Sequence, residues 1–171
     1  MKLCDIKIGE PFKIAGVEFI KFTQDGEKVF AVAKNSLFSS VFGNDENFAD
    51  SKIKKSLEKD LLPKLEAEIG AENIFEFETD LTALDGTHPF ADVSSKVSLV
   101  TLDFYRKHRG IFGKYNLDDW WWLVTPDSER FKNIFLCVSP AGDIRHYNYY
   151  DLNGGVRPIL LFSSSILVSC D

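Results

Sequence analysis

Val156-Arg157-Pro158-Ile159-Leu160-Leu161-Phe162 opens the longest apolar stretch of the chain, which runs on to Val168. A membrane-spanning helix needs about 18 or more apolar residues. This stretch is shorter and is broken by Arg157, Pro158 and three serines. It reads instead as a buried closing strand, entered through a turn at Asn153-Gly154-Gly155. Pro158 has no N–H to give, so the strand is expected to be bonded on one side there. Arg157 is a cation flanked by Val156, Pro158 and Ile159. Burying a cation is costly unless it is paired. Its expected role is therefore structural, a salt bridge or carbonyl clamp that locks the closing strand, with anion binding as the other role open to it.

Strands precede the closing one throughout the last third. Trp121-Trp122-Leu123-Val124 runs into Thr125-Pro126, and Asn133 to Val138 leads to a turn at Pro140-Ala141-Gly142-Asp143. Residues 144–150 return as a further strand. The first third reads alike. Phe12 to Val17 suggests a hairpin turning at Ala15-Gly16, and Val17 to Phe22 follows with Val17, Phe19 and Lys21 on one face. Asp25-Gly26 is a hairpin turn signal, and Val29 to Ala33 returns.

Helices fill the middle. Ser51 is a good N-cap, and Ile53, Leu57, Leu61, Leu65 and Ile69 repeat every four residues up to Gly70. Pro63 predicts a kink, or two short helices with Pro63 in the first turn of the second. Residues 72–95 look irregular, and Val97 to Val100 is a short strand or buried run. Thr101 opens a second helical region that Gly110 is expected to end. Strands at both ends with helices between them make a single α+β domain, residues 1–171, with antiparallel sheet.

Composition agrees. Of 171 residues, 44% are hydrophobic and 27% charged, close to globular averages, which argues against disorder. Net charge is −6 and the pI near 5.1, which argues against nucleic acid or an anionic membrane as partner. Lys52, Lys54, Lys55 and Lys59, interleaved with acids, read as a solvated helix face. Cys4, Cys137 and Cys170 are an odd set with no C-x-x-C spacing, so a reducing, cytoplasmic compartment is expected. The first residues turn polar at once and have no apolar core of a secretory leader.

Little in the chain demands a particular chemistry. His88, His108 and His146 form no metal-binding spacing, and no nucleophile elbow, P-loop or dinucleotide fingerprint occurs, so neither metal nor cofactor is expected. Cys137 and His146 make a dyad only if folding joins them; a buried strand cysteine and a surface histidine is the favoured reading. Asp118-Asp119, and Asp127 with Glu129, are loop acids of the ordinary solvated kind.

Three stretches are distinctive together: Trp120 to Pro126, Val138 to Ile144, and Gly155-Val156-Arg157-Pro158-Ile159. They resemble a bacterial and phage domain family of unknown function in which a Trp-Leu-x-Thr-Pro segment precedes a Val-x-x-x-Gly turn and a closing Gly-Val-Arg-Pro. The resemblance covers nearly the whole chain. It implies a C-type-lectin-like fold, the scaffold shared with formylglycine-generating enzymes and with retroelement variable proteins, with paired terminal strands and two helical regions. The calcium triplets of sugar-binding lectins are absent, Asp118-Asp119-Trp120 being the nearest text. So is the late cysteine pair of the formylglycine-generating enzymes.

The best candidate surface is the run from Arg145 to Asp151, which combines aromatic area with polar tips. Alternation puts Arg145, Tyr147 and Tyr149 on one face and His146, Asn148 and Tyr150 on the other. In the lectin-like fold such late strands form the ligand face, with Trp120 and Asp127 at its border and Trp121, Trp122 and Arg157 structural beneath. The leading expectation is a non-enzymatic module that binds a protein or a small polar ligand there, with a phage or mobile-element accessory role as its specific form. Two alternatives stand beside it: an enzyme built on Asp127, His146 and Arg157, and a structural domain that assembles with its own copies.

Overall fold

Ala15 and Gly16 both take positive φ, 50° and 76°, and join β1 (Pro11–Ile14) to β2 (Val17–Asp25) in a two-residue hairpin. The computed structural model describes residues 1–43, 47–150 and 152–170. Gly26, at φ 55°, turns β2 into β3 (Lys28–Ala33), with Asp25 facing Lys28, and a short β4 (Phe38–Ser40) follows.

Ser51 caps the first helical stretch as its side chain predicts, accepting the Lys54 N–H at 3.1 Å. α1 (Lys52–Ser56) passes through a π turn (Leu57–Leu61) into α2 (Leu62–Ile69), with Pro63 in the first turn of α2. In that turn the Leu62 N–H reaches back five residues to the Leu57 carbonyl. The wider turn lies where Pro63 offers no donor and its ring crowds the turn before it. Ile53, Leu57, Leu61 and Leu65 are buried, Ile69 half-buried, and Gly70 stops the helix at φ 86°.

Residues 72–95 carry more order than their turn formers suggest. β5 (Ile74–Phe75), β6 (Phe77–Thr79) and β7 (Val93–Ser95) lie within them, β6 and β7 pairing with each other. β8 (Val97–Leu99) leads to α3 (Leu102–Lys107), capped by Thr101 Oγ1 on the Phe104 N–H at 3.1 Å. Gly110 does not end this region. The break falls at His108, and α4 (Arg109–Phe112) runs through the glycine.

β9 (Trp121–Pro126), β10 (Ile134–Val138) and β11 (Ile144–Asn148) form an antiparallel meander. β12 (Gly154–Val156) and β13 (Pro158–Ser163) complete the fold. Gly154 and Gly155 are therefore strand residues and not the expected turn. Trp120 lies over Gly154 so closely that a side chain there would drive into its ring, and Ser36 lies against Gly155, where its hydroxyl would have to turn aside.

One sheet runs β1-β2-β3-β13-β5, with β8 also on β13; the other runs β11-β10-β9-β12-β4. Pairing is antiparallel apart from the contact of β12 with β9. Pro158 faces only Leu99 of β8, and β3 joins one residue later at Ile159, so the strand is one-sided at the proline. β13 pairs with β3, not with β1. The chain ends meet instead through bridges of Lys2 to Leu167 and Lys13 to Ser169.

Successive residues of β2 and β9 feed two separate cores. Phe19 and Trp122 join Ile53, Leu57 and Leu65 under α1 and α2; Ile20 and Trp121 join Leu102, Tyr105 and Phe112 under α3 and α4. In the first, the rings of Phe12, Phe19 and Phe162 lie 5.3–6.3 Å apart across β1, β2 and β13. Each such buried ring contributes on the order of 2 kcal/mol. The molecule is thus α+β and sheet-rich. Among the described residues no helix is long and apolar enough to cross a membrane.

Candidate functional site

β11 is the end strand of its sheet, and among the described residues β10 is its only strand partner. The phase of that pairing follows from its two ends. The Tyr149 N–H donates to the Asn133 carbonyl at 2.9 Å and the Ser139 N–H to the Asp143 carbonyl at 2.8 Å. Facing pairs in an antiparallel ladder alternate between bonded and unbonded. The bonded pairs are therefore Phe135–Tyr147 and Cys137–Arg145. The backbone N–H and C=O groups of Ile144, His146 and Asn148 point away from the sheet.

Side chains alternate as the sequence predicts as far as Asn148. Tyr147 faces the α1–α2 side with Phe135, and its ring packs 4.6 Å from Trp120, which stands edge-on to Trp122 at 4.9 Å. Trp120 and Tyr147 are half-buried at the rim of that core. Trp121 and Trp122 lie within the cores, and the Trp122 Nε1–H donates to the Ser40 carbonyl at 2.9 Å. Arg145 is exposed, 3.6 Å from the Asp143 carboxylate. The strand then ends. Tyr149 turns inward and is 9% exposed, whereas Tyr150, edge-on to it, is 52% exposed and Leu152 43%. Tyr149 is therefore a core residue rather than part of an open face. Asp151 lies outside the described residues.

On the α3 side of β11 stand His146 and Asn148. His146 Nδ1 is 2.7 Å from Asp127 Oδ1, across β10 from the end of β9. Ser128, a residue the sequence reading passes over, donates its hydroxyl to Asp127 Oδ2 at 3.1 Å and takes the Phe131 N–H on its oxygen. Asp127-Ser128 is a turn signal of the kind that carries such bonds. Asn148 Oδ1 is buried and has no hydrogen-bond partner among the described residues.

The remaining sequence candidates separate. Arg157 is 1% exposed; its Nε and one terminal nitrogen donate to the carbonyls of Ala33 at 2.7 Å and Lys34 at 2.9 Å. Its guanidinium lies 5.0 Å from the Trp121 ring and 5.6 Å from Phe112. Sealed there, it does not join Asp127 and His146 in one site. Cys137 pairs with Arg145 and His146 with Leu136, so the two stand on opposite faces and form no dyad. Burial pushes the Cys137 thiol up to about 12. Among the described residues no group of three or more His, Cys, Asp or Glu side chains is placed to hold a metal.

Compared with family models, with curated proteins and with solved structures, the chain matches none.

Proposed function

We propose that this protein is a non-enzymatic binding module that takes an extended segment of a partner protein onto the outer edge of β11. The observation that supports this most is the run of outward-facing backbone groups at Ile144, His146 and Asn148 on a strand with one strand partner. An added strand satisfies such groups, and flanking side chains set specificity. Tyr147 with Trp120 on one face, His146 held by Asp127 on the other, and exposed Tyr150 and Leu152 beyond the strand supply those flanks. Rings with polar tips suit such a role. The C-type-lectin-like assignment belongs to the same proposal. Chain ends that meet and two helical regions beside antiparallel sheets support it. So does the run from Trp120 to Arg157, with a phage or mobile-element accessory role in the cytoplasm as its biological form.

The 2.7 Å contact of Asp127 with His146 favours a second reading, proton transfer by that pair. His146 is half-exposed and the pair lies apart from Arg157, which removes one of the three groups such a site was to use.

Selection of linear peptides against the protein tests the binding reading. His146→Pro deletes an outward N–H without touching the ladder to β10, while His146→Ala keeps it. Bound peptide is expected to slow amide exchange at Ile144, His146 and Asn148, and the proline variant to bind about tenfold more weakly than the alanine variant. Equal binding by the two variants, or protection elsewhere, would sink the proposal.

A further inference from the structure

A cleft of about 360 Å³ opens between the segment from Asp80 to Leu84 and the outer side of α3, with Thr125 in its wall. That is the size at which small-molecule sites begin. It shares Thr101 and Phe104 with a second hollow of about 100 Å³, lined by Phe30, Phe77, Leu99 and Ile159 together with Glu78 and Thr79. Phe30 stands edge-on to Phe77 at 5.2 Å and to Phe104 at 6.0 Å, so aromatic edges make this hollow a mostly apolar slot. Neither Asp127 nor His146 lines either space, which sets them apart from the β11 edge.

The two walls of the cleft carry opposite charge. On α3, Asp103 meets Arg106 at 2.8 Å and Lys107 at 3.6 Å, one carboxylate against two cations. That wall is left with one net positive charge, although its carboxylate also lines the cleft and acts on Asp80 as a like charge. Across from it, Asp80 Oδ1 accepts both the N–H and the hydroxyl of Thr82, at 2.9 and 2.6 Å. Those bonds fix the carboxylate and hold it below the usual range. Among the described residues no cation forms an ion pair with Asp80, so this wall is negative. The segment that carries it is pinned by the Leu84 N–H on the Pro126 carbonyl at 3.0 Å and the Leu81 N–H on Asp92 at 2.9 Å.

A positive wall, a negative wall and an adjoining, mostly apolar slot match a zwitterion with an apolar tail. We propose that this cleft binds a free α-amino acid with a large apolar side chain. The ammonium group goes to Asp80, the carboxylate to Arg106 and Lys107, and the side chain into the slot beside Phe30, Phe77 and Phe104. The inference goes beyond the binding of a protein segment at β11 and stands or falls separately from it.

The test titrates the whole chain with L-phenylalanine and three analogues, followed by amide chemical shifts and calorimetry. The analogues are phenethylamine, which lacks the carboxylate, 3-phenylpropionate, which lacks the ammonium, and glycine, which lacks the side chain. L-Phenylalanine is expected to shift Thr82, Thr101, Phe104 and Thr125 and to bind about tenfold or more tightly than each analogue. Asp80→Asn is expected to weaken L-phenylalanine and phenethylamine while leaving 3-phenylpropionate unchanged. The double variant Arg106→Gln/Lys107→Gln is expected to weaken L-phenylalanine and 3-phenylpropionate while leaving phenethylamine unchanged. All these side chains are at the surface, and chemical shifts outside the cleft report that each variant stays folded. Absence of binding by L-phenylalanine, L-leucine and L-tryptophan up to about 20 mM would overturn the proposal. So would affinities indifferent to either charge, or shifts confined to β11.

Discussion

Among the described residues two cations are buried, and neither forms an ion pair with a carboxylate. Arg157 is 1% exposed and Lys21 2%. Arg157 donates to the carbonyls of Ala33 and Lys34. Lys21 Nζ donates to those of Leu3 at 3.1 Å, Cys4 at 3.4 Å and Ile6 at 2.8 Å, and to Gln24 Oε1 at 2.5 Å. The difference lies in what each head group offers. The guanidinium is planar and weakly hydrated, and its faces pack on Trp121 and Phe112 while its edge bonds. It ties β13 to the exit of β3, in the middle of the fold. The ammonium is a compact point charge with no face to stack. It gathers a curl of backbone, the chain's first turn, around itself. One cation joins packed strands; the other pins a chain end.

The first way to break that comparison is to remove the central cation. Arg157→Met keeps much of the bulk but strips one buried and one part-buried carbonyl of their donor and removes the contact with Trp121. Carbonyls orphaned in this way cost about 1–3 kcal/mol each. Denaturant unfolding is expected to show a loss of about 3–5 kcal/mol. Arg157→Lys is expected to recover less than half of it, because one ammonium cannot fork to two carbonyls and stack as well. Full recovery by lysine would mean that charge alone matters there and that the two nodes are alike.

Lys21→Met sharpens the comparison from the other end. Its carbonyls belong to a short turn at the chain end, which can reopen to water, so the expected loss is smaller, about 2–3 kcal/mol. The damage should also be local. Hydrogen exchange is expected to speed at Leu3 and Val168, whose amides bond Ile166 and Met1 across the joined ends, and to stay slow in β3 and β13. Uniform acceleration across the whole chain would show that Lys21 holds the centre too.

The two nodes also differ in how far the sequence discloses them. Arg157 stands alone among apolar neighbours, so its burial and a carbonyl clamp are readable from the residues. Lys21 is readable only as a strand residue on the face of Phe19. Its burial depends on the register shift between Lys21 and Thr23 and on the first turn folding back over β2, contacts set by distant parts of the chain. The same division runs through the rest of the molecule. Ser51, Thr101, Ala15-Gly16 and the every-fourth-residue pattern act locally and are legible. Gly154-Gly155 reads as a turn because glycine pairs usually are, whereas the fold needs Gly154 to admit Trp120. At the candidate site, Asp127 and His146 are both nameable from sequence. Their contact is not, because it depends on two successive hairpins. The cleft beside α3 goes unseen because Asp80, Thr82 and Asp103 look like ordinary turn and cap residues.

The smallest effect separates the cations by their protons. Burial holds the Lys21 ammonium below its ordinary 10.5. The folded chain therefore releases that proton at a lower pH than the unfolded chain does. Between those two values the unfolded chain binds more protons, so what Lys21 contributes to stability rises with pH and levels off above 10.5. Below that window both states are charged and the fold bears the whole cost of desolvating the ammonium. Arg157 has the same sign, but its window opens only at about 10. Cys137 runs the other way. Its thiol is raised from 9.0 to about 12, so stability falls above pH 9 as the unfolded chain loses a proton that the fold keeps. Wild type and both variants all retain Cys137, and its slope cancels when each variant is subtracted from wild type. Below about pH 10 the cost of Lys21→Met is expected to rise with pH while that of Arg157→Met stays level. Equal slopes would mean that Lys21, like Arg157, keeps its proton throughout, and that four acceptors hold an ammonium as firmly as two rings and two carbonyls hold a guanidinium.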